Sequence, residues 1–401
     1  MKVVILGGNI AGSNAATVIK QENPAIDVEI YTEESYFNYT RIKLPDFICG
    51  NCDHEDLTTA SAHWYEERNI KYYRKFCATK ILPAKKIVQF EKGKETSYDK
   101  LLLCIGSRSN ILPIPGTDSK GLFTLKTLDD ALRIREFSRG KRNAIVIGGG
   151  LLGLEIAKSI SDLGLNVTVL EYFPRLLPRQ LDIEGAEMLE QILEDFHISV
   201  GLNASTNEID IEEDKLIVRL KDEREYAAEM VIMAVGVRPN IELAKESGIE
   251  VNRGIVVNEY METSSKDIFA AGDCAEFNGR VWGIIPAAFE QSKIAALNIV
   301  GKKTKYKEIV PSNTLKIVGV DLTSIGRVTP EEELPEEIRV VDHDKRIYKK
   351  IVIDDNQVVG AILLGDRTNQ SSIMKLIKEG VDVSQFKGKI LENDFNLHYI
   401  L

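Results

Sequence analysis

An apolar run that stops in glycine and restarts as a helix occurs twice in this chain, and that repetition constrains the fold more than any other feature. "KVVILGGNIAG" begins at Lys2, and "NAIVIGGGLLG" spans Asn143 to Gly153. Each continues into a helical stretch ("SNAATVIKQ"; "LEIAKSISDLG") and then a second apolar strand ("VEIYTEE"; "VTVLEYF"). The copies lie too far apart for a solenoid, and each reads as a βαβ unit. The glycines let a pyrophosphate rest on a helix N-terminus, where unpaired N–H groups and the helix dipole favour negative charge. In the second copy Gly148, Gly150 and Gly153 complete G-x-G-x-x-G, and Glu171 follows the next strand, placed to accept a ribose hydroxyl. In the first copy Gly7 and Gly12 fit, while Asn9 stands at the middle position. Asparagine tolerates a left-handed backbone better than most residues, so the turn is expected to survive with a looser fit. Glu33 or Glu34 then takes the ribose position.

Length and charge narrow the partners. A chain of 401 residues that is 44% hydrophobic can bury two or three domain cores. A net charge of −10 argues against a nucleic-acid partner, which calls for a basic face. No segment reaches the uninterrupted apolar length of a membrane span. Five scattered cysteines do not make a disulfide framework, so a reducing compartment is expected, with the cytoplasm as the default.

A sugar-nucleotide or ATP binder can also carry one such βαβ unit, so other segments must identify the second nucleotide. "DIFAAGDCAEF", "AVGVRPN" and "LLLCIGSRS" do so, together with "EESYFNYTRIKL", "PRQLD" and "LKIVGVDLTSIG". With these motifs the chain resembles the pyridine nucleotide-disulfide oxidoreductase superfamily over nearly its whole length. Within it, the resemblance is greatest to NADH:rubredoxin reductases and the flavin half of NADH-dependent nitrite reductases. It implies an α/β protein with two Rossmann-like dinucleotide-binding domains, one for FAD and one for NADH, and a small C-terminal α+β domain. The expected FAD-binding domain comprises residues 1–110 and 241–310, the NADH-binding domain 111–240, and the interface-type C-terminal domain 311–401.

The resemblance also implies site residues. Gly7, Asn9, Ile10, Ala11 and Gly12 would surround the FAD pyrophosphate, with Glu33 on the adenosine ribose. Asp273 would bind the ribityl chain, and Arg41 and Lys43 would lie near the flavin ring. Ala78 would meet the adenine edge through its backbone, and Gly106 in "CIGS" keeps the glycine of the family's usual A-T-G. Gly148, Gly150, Gly153 and Gly236 would cradle NADH, and Glu155 would face the nicotinamide. A carboxylate at Glu171 pairs with a free 2′-hydroxyl and repels a 2′-phosphate, which favours NADH; Arg175 nearby offers partial compensation and keeps NADPH as the lesser alternative. Hydride transfer between stacked rings needs positioning and no proton, so no catalytic acid or base is assigned.

"FICGNCDHE", Phe47 to Glu55, invites a redox or metal reading. Disulfide-reducing members of the family carry a reactive cysteine in the stretch corresponding to Tyr39 through Lys43, which here holds none. If Leu44 to Cys49 forms a short helix stopped by Gly50 and Asn51, Cys49 and Cys52 fall at a surface bend on the order of 10 Å or more away. The pair is read as inert, with a peripheral redox switch as the alternative. C-x2-C-x-H-x8-H, with His54 and His63, matches no common zinc module, so no metal is assigned. Cys77, Cys104 and Cys274 are expected to pack as small hydrophobes.

The electron acceptor is then external: a one-electron carrier, a small acidic iron protein such as rubredoxin or ferredoxin. An NADH oxidase that reduces dioxygen and a slow, regulatory binding flavoprotein are the alternatives. An acidic carrier calls for a locally basic dock, and "GKKTKYK" and "DKRIYKK" qualify. After Pro311, alternating segments with "DDNQ" as a hairpin turn and a helical "SSIMKLIKEG" predict the C-terminal α+β domain, with "TPEEELPEEIR" as a solvated loop.

Overall fold

The structure, a computed structural model, describes residues 1–308, 312–317, 319–328 and 336–392. It forms two compact units: Met1–Leu44, Cys52–Ser109 and Val237–Ile309 make the first, and Pro45–Asn51, Asn110–Gly236 and Val310–Leu401 the second.

In the first unit, β1 (Lys2–Leu6) leads through α1 (Ile10–Glu22) to β2 (Asp27–Thr32), and the two strands pair in parallel from Lys2 opposite Asp27 to Leu6 opposite Tyr31. Val3, Val4 and Ile5 are fully buried. A continuous apolar run suits a parallel strand covered on both faces. Lys100–Leu103 and then Ile268–Ala270 extend the sheet beyond β1, and Ile70–Arg74 extends it beyond β2. The buried side of α1 is mostly small, Ala11, Gly12, Ser13, Ala15 and Ala16, which lets Ile285–Ile299 pack closely on it. Before Lys100 the chain makes an antiparallel excursion of three strands, Ala78–Leu82, Ile87–Phe90 and Glu95–Ser97.

The second unit repeats this plan. β3 (Asn143–Ile147), α2 (Leu151–Asp162) and β4 (Asn166–Leu170) form the same parallel βαβ, and Ile198–Gly201 lies outside β4 as Ile70–Arg74 lies outside β2. Between β4 and Ile198 stands α3 (Ile183–Glu194). Thr206–Glu212, Lys215–Leu220 and Glu225–Ala228 make a second antiparallel excursion before Met230–Met233 returns beside β3, and Leu122–Phe123 closes that edge.

The C-terminal part is an antiparallel sheet in which Val320–Gly326 lies between Ser312–Ile317 and Gln357–Leu364. Beyond Gln357–Leu364 comes β5 (Ile347–Asp354), then Glu336–Asp342. Helix Gln370–Glu379 covers it, burying Ile373 and Leu376 against Ile325, Ile351, Ala361 and Leu363. The hairpin expected at "DDNQ" is present, with Asp355 and Asn356 at φ +51° and +59°, as a two-residue turn between twisted strands requires. The expected loop "TPEEELPEEIR" is corrected in part: residues 329–335 lie outside the described residues, but Glu336–Arg339 already belong to an edge strand. The class is α/β, with two Rossmann-like units and an α+β C-terminal part.

Candidate functional site: two glycine turns and their supports

Gly7 and Gly148 open the two turns at φ +101° and +113°, with N–H groups donating at 2.8 Å to the carbonyls of Tyr31 and Leu170. A Cβ on Gly12 or Gly153 would come 1.9 Å from the carbonyl oxygen of Gly7 or Gly148, so the third glycine brings the helix onto the turn. The middle position works differently from the sequence expectation. Asn9 is not left-handed: it sits at φ −87° and ψ −155° as the N-cap of α1, and Gly150 occupies the same place on α2 at φ −81° and ψ 179°. What Gly150 supplies is space, since a Cβ there would meet nothing within 4 Å. Asn9 instead turns its own Oδ1 to the N–H of Ile10 at 2.8 Å and donates Nδ2 to the carbonyl of Tyr39 at 3.3 Å. Ala11 faces the core beside it.

Glu33 and Glu171 also differ. Glu171 follows β4 and is 6% exposed; its carboxylate accepts the N–H groups of Gly149 at 2.6 Å and Phe173 at 2.8 Å. An ionised carboxylate has about four acceptor positions, so capacity remains for a ribose hydroxyl. Glu33 is exposed at the end of β2. Its neighbour Glu34 is committed elsewhere, accepting the Tyr39 hydroxyl and Arg41 Nη2, both at 2.5 Å. The compensation expected from Arg175 is not supported: its guanidinium donates to the carbonyls of Leu181 at 3.2 Å and Pro178 at 2.9 Å. Those bonds tie its guanidinium to its own loop.

The remaining candidates of the first unit are Arg41, Lys43, Ala78, Gly106 and Asp273. Arg41 keeps a buried Nε with no hydrogen-bond partner, a donor that a ligand would satisfy. Lys43 is exposed beside Ile42, which is 60% exposed. Ala78 opens its strand at a register shift opposite Phe90. Gly106 is left-handed at φ +64°, and its carbonyl accepts the Asn240 N–H at 3.0 Å. Ser107 of "CIGS" donates its hydroxyl to Asp273 at 2.8 Å, and Gln291, 1% exposed, fixes the preceding Gly272 N–H at 2.9 Å. In the second unit Glu155 is half-buried near the start of α2, and Gly236 is left-handed at φ +91° with open space above it. The two turns, each with open or unsatisfied positions where a dinucleotide would lie, fit the cofactors that the sequence calls for.

Several supports escaped sequence reasoning. The Gly8 carbonyl accepts the hydroxyls of Tyr72 at 3.0 Å and Ser13 at 2.8 Å, and Ser13 is paired in turn with Tyr65 at 2.7 Å. Burial pushes the Tyr65 hydroxyl up to about 12, which keeps it a proton-bearing partner. Tyrosines spaced far along the chain give no local signal of such a role.

The cysteines follow their surroundings. Helix Leu44–Cys49 ends at Gly50, which is left-handed at φ +86°, as expected. Cys49 points its thiol to the Asp46 carbonyl at 3.3 Å, and Cys52 to that of Lys43 at 3.7 Å. His63 pairs with Glu67 at 3.2 Å on an exposed helix face. Among the described residues no group of three or more His, Cys, Asp or Glu is arranged to hold a metal ion. Cys104 and Cys274 are buried; burial raises both thiols, Cys274 to about 11. Cys77 departs from the expectation of a packed hydrophobe: it is half-buried, its thiol 4.0 Å from the Glu33 carboxylate, and burial and then that carboxylate raise its pKa.

One of the two basic runs is not a dock. In "DKRIYKK" the side chains of Lys349 and Lys350 are 5% and 4% exposed and locked to Asp366 and Asp182, while Arg346 pairs with Asp195. In "GKKTKYK" the lysines stay at the surface while Tyr306 is buried, and Lys302 pairs with Glu22 and Lys305 with Glu259. Among the described residues no helix is long and apolar enough to cross a membrane.

Comparison with known proteins gives two family matches: pyridine nucleotide-disulphide oxidoreductase over residues 1–292 and rubredoxin NAD+ reductase C-terminal domain over residues 311–381. A nitrite reductase [NAD(P)H] of Bacillus subtilis is 38% identical over 387 residues, covering 96% of this chain and 48% of its own. An NADH-rubredoxin oxidoreductase of Clostridium acetobutylicum is 34% identical over 377 residues, covering 94% of each. A crystal structure of NADH:rubredoxin oxidoreductase from that organism superposes with a TM-score of 0.80 at 32% identity, covering 97% of both chains. The chain therefore spans about half the length of some curated relatives it matches and nearly the full length of others.

Proposed function

The chain belongs to the pyridine nucleotide-disulphide oxidoreductase family, and from that premise we propose that it is an FAD-dependent NADH oxidoreductase that passes electrons to an external one-electron carrier of the rubredoxin or ferredoxin type. The observation that carries this reading is the pair of glycine turns, one in each unit, in a chain with no cysteine between Tyr39 and Lys43 to divert electrons into a disulfide.

Residues 1–110 and 241–310 are assigned to FAD, 111–240 to NADH, and 311–401 to the C-terminal domain. Bound FAD supplies the step from two-electron donor to one-electron acceptor, which no side chain offers. The protein's part is to bind and orient. Gly7, Asn9, Ile10, Ala11 and Gly12 would hold the FAD pyrophosphate against the start of α1, Glu33 the ribose, and Ala78 the adenine edge. Asp273, oriented by Ser107, would take the ribityl chain, with Gly106, Arg41 and Lys43 around the ring. Gly148, Gly150 and Gly153 would hold the NADH pyrophosphate, Glu171 its adenosine ribose, and Glu155 and Gly236 would lie toward the nicotinamide. Glu171's charge, with Arg175 committed to its own loop, favours NADH over NADPH. In the run Gly301–Lys307 the exposed Lys302, Lys303, Lys305 and Lys307 offer a basic surface to an acidic carrier. A cytoplasmic setting suits unbridged thiols.

Anaerobic stopped-flow mixing with NADH, followed by rubredoxin, ferredoxin or dioxygen, tests the proposal. Flavin reduction within the turnover time and faster reoxidation by a carrier than by dioxygen are expected, with the carrier rate falling as ionic strength rises. A protein that purifies colourless and takes up no FAD would end this reading, and preferential reoxidation by dioxygen would replace the carrier with an oxidase function.

A further inference from the structure

The segment from Glu171 to Asp182 joins β4 to α3 and is fastened at both ends. At its near end Glu171 accepts the Gly149 N–H, and the Leu177 N–H donates back to the Gly149 carbonyl at 3.2 Å. Leu176 fills the space beside the turn, so that a Cβ on Gly149 would come 2.6 Å from it. A shift of this segment is therefore a shift of the second glycine turn. Its middle cannot absorb much motion. Leu176, Leu177 and Leu181 are fully buried, and Arg175 closes the bend through the carbonyls of Pro178 and Leu181.

The far end is held by the C-terminal sheet. Asp182 caps α3 by accepting the Gly185 N–H at 3.0 Å with one oxygen, while the other accepts the Tyr348 hydroxyl at 2.6 Å and the Lys350 ammonium at 2.9 Å. Tyr348 is fully buried, and Lys350 reaches Glu337 as well, at 2.6 Å. Burial tends to raise the Asp182 carboxyl, but Tyr348, Lys350 and the Gly185 N–H together more than offset it and hold it below the ordinary aspartate value. Replacing a buried ion pair by apolar side chains of similar volume is often neutral or stabilising, so the contribution ascribed to this directional network is to geometry and not to cohesion. We infer that β5 sets the position of the NADH-binding turn through Asp182, which makes Asp182, Tyr348 and Lys350 positioning residues for nucleotide binding. This inference rests on the proposal that the turn at Gly148–Gly153 binds NADH.

The test uses the full-length, FAD-loaded protein and the variants Asp182→Asn, Tyr348→Phe and Lys350→Met. With ferricyanide as acceptor, Asp182→Asn and Lys350→Met are expected to raise the KM for NADH by about 3- to 30-fold with kcat little changed, and Tyr348→Phe by about 2- to 3-fold. Reoxidation of dithionite-reduced protein by ferricyanide, which bypasses the turn, should be unchanged. Should Lys350→Met fail to fold, the other two decide the matter, because Asp182→Asn keeps a helix-capping side chain and leaves Lys350 paired with Glu337. Variants with lowered melting temperature but unaltered KM would show a merely structural network and overturn the inference. If the unmodified protein takes up FAD but is not reduced by NADH, the functional reading fails first and this inference falls with it; reduction of the unmodified protein with no KM change in the variants sinks the inference alone.

Discussion

In the first unit the turn is steadied by hydroxyls, Tyr72 and Ser13 on the Gly8 carbonyl, whereas in the second it is steadied by a carboxylate, Glu171 on the Gly149 N–H, and by a leucine-rich segment tied to the C-terminal sheet. Elsewhere the two units match closely. Asp99 accepts the N–H of the first residue of β1 at 2.6 Å, and Glu229 accepts that of β3 at 2.9 Å. Both excursions of three antiparallel strands fall at the same point of the chain order. The difference teaches which parts of such a turn are fixed by geometry and which by circumstance. The first and third glycines are fixed, one by its positive φ and the other by a contact that admits no Cβ. The middle residue and the supports vary, and in the second unit the support is the same carboxylate to which we assign the choice between NADH and NADPH.

The largest expected effect breaks the equivalence of the two turns. Gly12→Val should yield protein without flavin, because its side chain would press on the Gly7 carbonyl. Gly153→Val should remain yellow but lose at least ~100-fold in its rate of reduction by NADH, a loss of ~2.7 kcal/mol in transition-state stabilisation. Flavin absorbance per protein and stopped-flow reduction separate the outcomes, and equal flavin loss in both variants would contradict the division of labour. A smaller effect is expected at the support. Glu171→Gln removes the charge and can accept only one of the two backbone N–H groups through its single carbonyl, so the preference for NADH over NADPH should narrow by about 10-fold, read from the ratio of kcat/KM values. An unchanged ratio would place selectivity elsewhere. The smallest effect is expected at Asn9→Gly, which makes the first turn resemble the second. Glycine is nearly as good an N-cap as asparagine, differing by a few tenths of a kcal/mol, so FAD affinity should move by less than about 3-fold in a fluorescence titration. A loss beyond about 10-fold would make the Asn9 side chain part of the binding site.

Much of this was legible in the chain itself. The doubled strand–glycine–helix pattern, the acidic residue after the second strand and the left-handed hairpin at Asp355–Asn356 are local features that local physics enforces. The reading of Asn9 failed because a residue's tolerance of a left-handed backbone does not reveal that it will cap a helix instead. The dock at "DKRIYKK" failed because a run of lysines looks the same in sequence whether its side chains meet water or buried carboxylates. The supports at Tyr72 and Tyr348 were invisible because their partners are 64 and 166 residues away along the chain.

The sequence by itself determined that two nucleotide turns would form, since glycine spacing and apolar strands act within a dozen residues and leave the backbone few alternatives. Only the tertiary structure decided what braces each turn, which carboxylate stays available and which charges are spent internally, because those outcomes depend on which distant side chains folding brings within hydrogen-bonding distance.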